Sequence, residues 1–400
     1  MKSFLGFPRK QGPAGIRNYI VVIAAELSCN PWVTRIASVV RGPCCAITHK
    51  HGIGDRGSDQ ETFLRIITGI LCHPNVAGGL LVASGNEDYD PAPVVARALT
   101  SGRRARVLSL KDFSRTESML AKGARLAREL AREAGKAKRV EFGLEQLRVG
   151  LNCAGTDRFS GTTSHAVCGA AVDRLIEGGG TALLTEIPEM IGLGKRWFDR
   201  AADRDVRKRL QSLIIRHKKR LSVCGGDISD NEVCAFNVAG GMSCLAEKSA
   251  VSILKAGTSR ITQVVRYGET PAGTGLVVMD GPALTDFAIV GLMGSGAHLM
   301  LNCCGAGSAN RMPFVVGADM PSPILPVIKL TGSAPHFRRQ ENRIDFSADF
   351  SAGGGRSTNN RADRLFNLIM RVASGARTRT EEAEEGKRFF VNFPMRFYQA

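Results

Sequence analysis

The chain has 400 residues, 44% of them hydrophobic and 23% charged, with a formal net charge of +17. That length exceeds what one core usually fills, and the composition suits a folded globular protein of two domains, not a disordered or fibrous one. No apolar run reaches the length of a membrane span. Pro8, Arg9, Lys10 and Gly12 interrupt what would be a signal-peptide core, so a cytoplasmic protein with no membrane association is expected.

Predicted elements alternate along the first third. NYIVVIAA (18–25) reads as a strand, followed by a helix near 30–41, a strand at 44–48 and a helix at 61–72. A strand at 78–84, a helix at 91–100, a strand at 105–110 and a long amphipathic helix at 114–137 follow. The charged stretch GKAKR marks a boundary, and the pattern restarts. Strands are expected at 147–152, 181–186, 261–267, 275–280, 298–304 and 326–332, with helices at 164–177, 193–220, 243–256 and 361–374. Such alternation predicts an α/β fold of two domains, 1–142 and 143–400, with mainly parallel sheets flanked by helices in Rossmann-like layers.

The basic residues cluster in 102–138 and 195–220, but acids are interleaved and apolar residues fall at helical spacing. These stretches read as solvated helix faces able to steer a small anion, with no nucleic acid expected as a partner. The cysteines include no CxxC pair, which fits a reduced chain.

Many strands end in polar residues beside glycine. His49-Lys50-His51-Gly52-Ile53-Gly54-Asp55 follows one, Gly85-Asn86-Glu87-Asp88 another, and Cys153-Ala154-Gly155-Thr156-Asp157 a third. Glu186-Ile187-Pro188-Glu189, Asp280-Gly281-Pro282 and Cys303-Cys304-Gly305 end three more, and Lys329 closes PVIK. Each has a plain structural reading as a turn, a cap or a strand stop. Together they predict an enzyme, because ligands of open parallel sheets bind outside the carboxyl ends of the strands. There is no Walker loop, no GxGxxG opening the first helix and no GxSxG elbow, which argues against a nucleotide site or a serine hydrolase. Oxygen and nitrogen ligands with an occasional thiolate suit Fe²⁺, Mn²⁺ or Zn²⁺. Carboxylates near a metal suit proton abstraction beside a carboxylate group, with Arg17 and Lys329 holding an acidic substrate.

The stretches GFPRKQGPAGIRNYIVVI, ITHKHGIG, CAGTDRFSG, GGTALLTEIPEMIG, NVAGGMSCLAEKS and VIKLTG resemble the altronate/galactarate dehydratase family, and the likeness runs along nearly the whole chain. The resemblance implies a metal-assisted lyase that takes water from a sugar acid or related 2-hydroxy acid and leaves a 2-keto-3-deoxy acid. It also implies two alternatives: the large subunit of a sulfolactate sulfo-lyase, which releases sulfite, and a non-catalytic regulatory homologue. Single-chain members carry a SAF domain ahead of this region, so a separate small SAF-domain subunit is an expected partner, alongside self-association. The family commonly has cysteine where this chain has Ile53 and Asn86, and asparagine where it has His165. The lost thiols imply a shift from Fe²⁺ towards Mn²⁺ or Mg²⁺.

Strand-end position and motif match together suggest roles. His49, Glu87 and Cys153 are expected at the metal. His49, Asp157 and Glu186 are the catalytic candidates, and Arg17, Asn18 and Lys329 would hold the substrate carboxylate. His51 divides between the site and its support, His73 reads as a helix end, and His217 as surface.

Overall fold

The computed structural model describes residues 3–223, 233, 235–305, 322–350, 357–383 and 388–390. In chain order the first elements are β1 (Ser3–Gly6), β2 (Tyr19–Ala24), α1 (Asn30–Ser38), β3 (Cys44–Thr48), α2 (Ser58–Leu71), β4 (Val76–Ala83), α3 (Ala92–Thr100), β5 (Arg104–Ser109), α4 (Thr116–Ala134) and β6 (Val140–Gly143). Next come β7 (Arg148–Ala154), α5 (Ser164–Glu177), β8 (Thr181–Leu184), α6 (Lys195–Phe198), α7 (Arg204–Val223), α8 (Ala235–Ala239) and α9 (Leu245–Ser252). They are followed by β9 (Ile261–Val265), β10 (Gly275–Met279), α10 (Thr285–Gly294), β11 (Leu299–Cys304), β12 (Val327–Thr331) and α11 (Ala334–Arg339). The last are β13 (Phe346–Ser347), α12 (Thr358–Ala373), α13 (Arg379–Ala383) and β14 (Arg388–Phe390).

Two parallel sheets with covering helices make the α/β architecture. The first has strand order β14-β3-β2-β4-β5 and the second β13-β12-β11-β7-β8-β10-β9. Every described pairing within them is parallel. Their central strands are short and rich in branched aliphatics, as in YIVVIA of β2 and GLVVM of β10, and are covered on both faces. Burial on both faces is what a parallel sheet requires, because its crossover helices occupy both sides. β1 and β6 form a separate antiparallel pair.

The two sheets share a core. One apolar cluster joins Val21, Ile66 and Ile70 to Met279, Ile289 and Met293. At its centre α2 meets α10 so closely that a Cβ on Gly69 would stand 2.1 Å from the Gly294 carbonyl oxygen. The chain also crosses back, since β14 pairs in parallel with β3 at the edge of the first sheet. α10 has no counterpart among the expected helices. Its sequence, TDFAIVGLMG, is apolar on every side because the helix is buried between both layers, so no amphipathic period announces it. The single helix expected at 193–220 is broken into α6 and α7, and the one at 243–256 is α9 followed by a 3₁₀ turn, Ile253–Ala256. The polar run after Cys304 continues into 306–321, outside the described residues.

Strand order reverses at β7, which lies between β11 and β8, and at β2, which lies between β3 and β4. Crevices at such reversals are where open parallel sheets place their ligands.

Candidate active site

In the second sheet Cys153 is the last residue but one of β7, while β8 runs on through Thr185 into Glu186. The 3₁₀ turn Ile187–Met190 then carries Glu189 back towards the same point, and the turn Ile253–Ala256 supplies Lys255. Lys255 Nζ stands 3.0 Å from Glu186 Oε2, 3.4 Å from Glu189 Oε2 and 3.4 Å from Cys153 Sγ. The Cys153 thiol reaches Glu189 Oε2 at 2.9 Å, and Lys248 Nζ lies 3.1 Å from Glu189 Oε1. All four central residues are buried.

Glu186 is the one described non-glycine residue with a left-handed backbone, at φ 67°. A side chain there stores strain of about 1–3 kcal/mol, which persists only when its surroundings hold it. Here the Cys153 amide donates to Glu186 Oε2 at 3.0 Å. Asn152, with its amide nitrogen turned to Glu186, donates to Oε1 at 3.1 Å. Strained backbone at a buried ionisable group is a common mark of a functional site.

The electrostatics divide the two carboxyls. Burial raises the Glu186 pKa to about 7, against the pull of Lys255. Burial also acts to raise Glu189, but Lys255 and Lys248 outweigh it and hold that carboxyl below its ordinary range. Burial, with Glu186 and Glu189 alongside, pushes the Cys153 thiol well up. Lys255 is discouraged from charge by burial, yet the acidic groups around it raise its pKa well above normal, so it remains an ammonium. The arrangement is one fixed cation, one fixed anion and one carboxyl poised to exchange a proton near neutrality.

A second donor group sits at the reversal of the first sheet. Glu26 follows β2, Cys29 begins the approach to α1, and Glu87 follows β4. Their ligand atoms lie within 4.8 Å of one another, as do those of Cys153, Glu186 and Glu189. Glu26 accepts from the Ser28 amide at 2.6 Å, and Glu87 from the Ser84 and Gly85 amides at 2.6 and 3.0 Å.

The residues singled out in the sequence are distributed over several places. Cys153 and Glu186 share the buried cluster, whereas Glu87 belongs to the other group. His49 is fully buried; its Nε2 lies 2.7 Å from the Ala24 carbonyl, and its Nδ1 accepts from the His51 amide at 3.2 Å. His51 pairs with Asp55 at 3.1 Å. The turn between them needs Gly52, at φ 97°, because a Cβ there would meet the Ala25 oxygen at 2.4 Å. Asp157 Oδ1 accepts from Phe159, Ser160 and the Ser160 hydroxyl. Arg17 forms a two-pronged pair with Glu381, both contacts at 2.7 Å. Asn18 accepts from Arg9 at 2.8 Å and donates to the Ala134 carbonyl at 2.7 Å. Lys329 is buried in β12, in register with Asn302, which is in turn in register with Asn152. His73 is buried against the Ala297 carbonyl, and His217, read as surface, is buried against Asp280 at 2.7 Å.

Sequence reading missed Lys255, Glu26 and Cys29, and it counted Glu189 among the strand-end residues without giving it a role at the site. Glu26 carries the signal used for the others, a polar residue just past an apolar strand. Lys255 carries none, since a lysine at a helix end is ordinarily solvated.

The fold and the cluster define an α/β protein of two parallel sheets whose ionisable groups gather at strand carboxyl ends. The chain belongs to the D-galactarate/altronate dehydratase family: the family's C-terminal domain matches residues 144–395 and its second domain residues 6–135. It is 29% identical over 383 residues to altronate dehydratase of Bacillus subtilis, covering 94% of this chain and 74% of that protein. It is equally 29% identical over 395 residues to the (2R)-sulfolactate sulfo-lyase subunit beta of Chromohalobacter salexigens, covering 98% and 97%. Altronate dehydratase of Escherichia coli is 25% identical over 334 residues, covering 84% of this chain and 64% of that protein. Among solved structures, E. coli ADP-heptose lps heptosyltransferase II is similar at 12% identity with a TM-score of 0.19, too slight a likeness to bear on fold or function.

Proposed function

We propose that this chain is a hydro-lyase that removes water from a sugar acid or related 2-hydroxy acid. The observation that carries the reading is the buried, strained Glu186, poised near neutrality beside the Lys255 ammonium. Glu186 acts as the base that takes the proton from the carbon next to the substrate carboxylate. Lys255 holds positive charge where the enediolate develops, which is worth most in a water-excluded site. Asp157, also buried and following β7, delivers a proton to the departing hydroxyl. Lys329 holds the carboxylate. The resulting enol tautomerises to a 2-keto-3-deoxy acid. The site belongs to the second of the two domains we propose, 143–400.

One thiol and two carboxylates within 4.8 Å make a donor set that fits a divalent ion at Cys153, Glu186 and Glu189. The same holds for Glu26, Cys29 and Glu87. Bound there, an ion such as Fe²⁺, Mn²⁺ or Mg²⁺ supplies Lewis-acid stabilisation of developing negative charge. The first group already has an ammonium at its centre, whereas Glu26 and Glu87 have no ion-pair partner among the described residues. That contrast favours the second group as the ion's seat.

A second reading is a sulfo-lyase acting with a further, small SAF-type subunit. Alignment along 98% of this chain and 97% of a sulfo-lyase beta subunit supports it. Assay of altronate, galactarate and (2R)-sulfolactate, with and without such a subunit, decides between them. The first reading expects a 2-keto-3-deoxy acid and its loss in Glu186→Gln. Release of sulfite from sulfolactate alone would replace it with the second.

A further inference from the structure

β7 and β11 carry the same triplet, Leu-Asn-Cys, at residues 151–153 and 301–303, and the two copies lie side by side in register. Leucine and cysteine suit a buried strand. Asparagine does not, because it is a poor strand former and a buried amide costs stability unless its polar atoms are matched. Asn152 and Asn302 are nevertheless 0% and 1% exposed. Asn152 lies on the face towards α10, whose first residue, Thr285, brings its hydroxyl within 3.2 Å.

The contacts fix which way each amide points. One end of the Asn152 amide stands 3.1 Å from Glu186 Oε1, and the other stands 3.0 Å from the Asn302 amide. A carboxylate can only accept, so the Asn152 nitrogen faces Glu186 and its oxygen faces Asn302, the Thr285 hydroxyl and the Cys153 amide. That oxygen needs a donor from Asn302, which only the Asn302 nitrogen supplies. Turned the other way, Asn302 Nδ2 has no partner among the described residues. Both amides therefore point their hydrogens in one direction, from β11 through β7 to Glu186. A reversed Asn302 would draw the Asn152 nitrogen to itself and set the Asn152 oxygen against the Glu186 carboxylate.

The Glu186 carboxylate is thus held at both oxygens. Oε2 meets the Lys255 ammonium and the Cys153 amide, each at 3.0 Å, and Oε1 meets Asn152. Such a grip fixes the plane of the carboxylate, and a base loses rate when it is poorly aimed.

We infer that Asn302 is a positioning residue for the base: it orients the Asn152 amide, and Asn152 aims the Glu186 carboxylate. The inference rests on Glu186 being the base of the proposed lyase.

Neutron diffraction from deuterated crystals grown above neutral pH reads both amides without any need for turnover. The Asn152 nitrogen should face Glu186 and the Asn302 nitrogen should face Asn152. Either amide found the other way round overturns the inference. Kinetics tests the consequence, with whichever of altronate, galactarate and (2R)-sulfolactate the chain turns over. Asn302→Leu and Asn152→Leu, each close in volume to the residue replaced, should lower kcat by about tenfold or more while KM stays within about twofold, as for loss of a hydrogen bond to a charged group. Because Asn302 acts through Asn152, the double variant should be no slower than Asn152→Leu. Losses that multiply in the double variant are independent packing defects and overturn the inference. Should a leucine variant fail to fold, the neutron result decides. An unchanged kcat in both leucine variants removes the positioning role and leaves the lyase reading in place. The expected amide orientations in a protein that turns over none of the acids sustain the hold on Glu186 and remove the lyase reading.

Discussion

Lys255 Nζ and Glu186 Oε2 face each other at 3.0 Å with only 2% and 1% of their side chains exposed. Neither charge is hydrated, so each depends on the other, and Lys255 also offsets Glu189 at 3.4 Å. Lys255→Met should therefore destabilise the chain by about 3–5 kcal/mol, the usual effect of leaving a buried charge alone. Adding Glu186→Gln to that variant should restore part of the loss, because one of the stranded acids is then neutral. Denaturant unfolding of both single variants and the double variant measures the coupling. Additive effects would mean the two residues do not act as a pair.

Glu186 also sets a pH dependence. As the base, it must be ionised, so kcat/KM should rise as pH increases through about 7 and then level off. Stability runs the other way. The folded state holds this proton more tightly than the unfolded state, whose carboxyl titrates at its ordinary value of 4.5. The contribution is fully present below that value and is lost as pH rises through about 7. Glu186→Gln should abolish the rate limb and flatten the stability slope between those values. A wild-type rate profile flat from acid pH to 8 would exclude Glu186 as the base.

The sheets were legible because parallel strands buried on both faces read as short aliphatic runs, and YIVVIA and GLVVM do. α10 was not legible, since a helix buried all round shows no period. Strand-end position led to Cys153 and Glu186. The same rule could not show that His49 turns inward to the Ala24 carbonyl, because a glycine-hinged loop permits either direction. Lys255 was invisible for a different reason. Its meaning comes wholly from three partners distant in sequence, at 153, 186 and 189, and one chain carries no local mark of such a meeting.

The two donor groups make separable predictions for metal. Glu26 and Glu87 place two carboxylates close together without a cationic partner among the described residues. Added Mn²⁺ should therefore raise the melting temperature of chelator-treated protein, because a ligand that binds only the folded state stabilises it. Glu26→Gln and Glu87→Gln should each remove most of that rise and lower the metal content found by elemental analysis. Glu189→Gln should leave the rise in place. The opposite pattern would move the ion to Cys153, Glu186 and Glu189.

Arg17 offers a test that separates architecture from substrate binding. Its guanidinium meets both Glu381 oxygens at 2.7 Å and donates to the carbonyls of Ile16, Val372 and Ala376. Tyr19 donates to the same carboxylate at 3.1 Å. These contacts fasten the approach to β2 onto α12, α13 and the turn between them, joining parts of the chain far apart in sequence. Arg17→Met leaves Glu381 buried and unpaired and should cost about 3–5 kcal/mol of stability. Arg17→Lys keeps the charge but loses the planar, two-pronged geometry, so it should recover only part of that loss. If Arg17 is committed to Glu381, Arg17→Lys assayed well below its melting temperature should retain the wild-type KM for whichever acid is turned over. A KM raised tenfold or more in a variant of near-normal stability would return Arg17 to the substrate carboxylate.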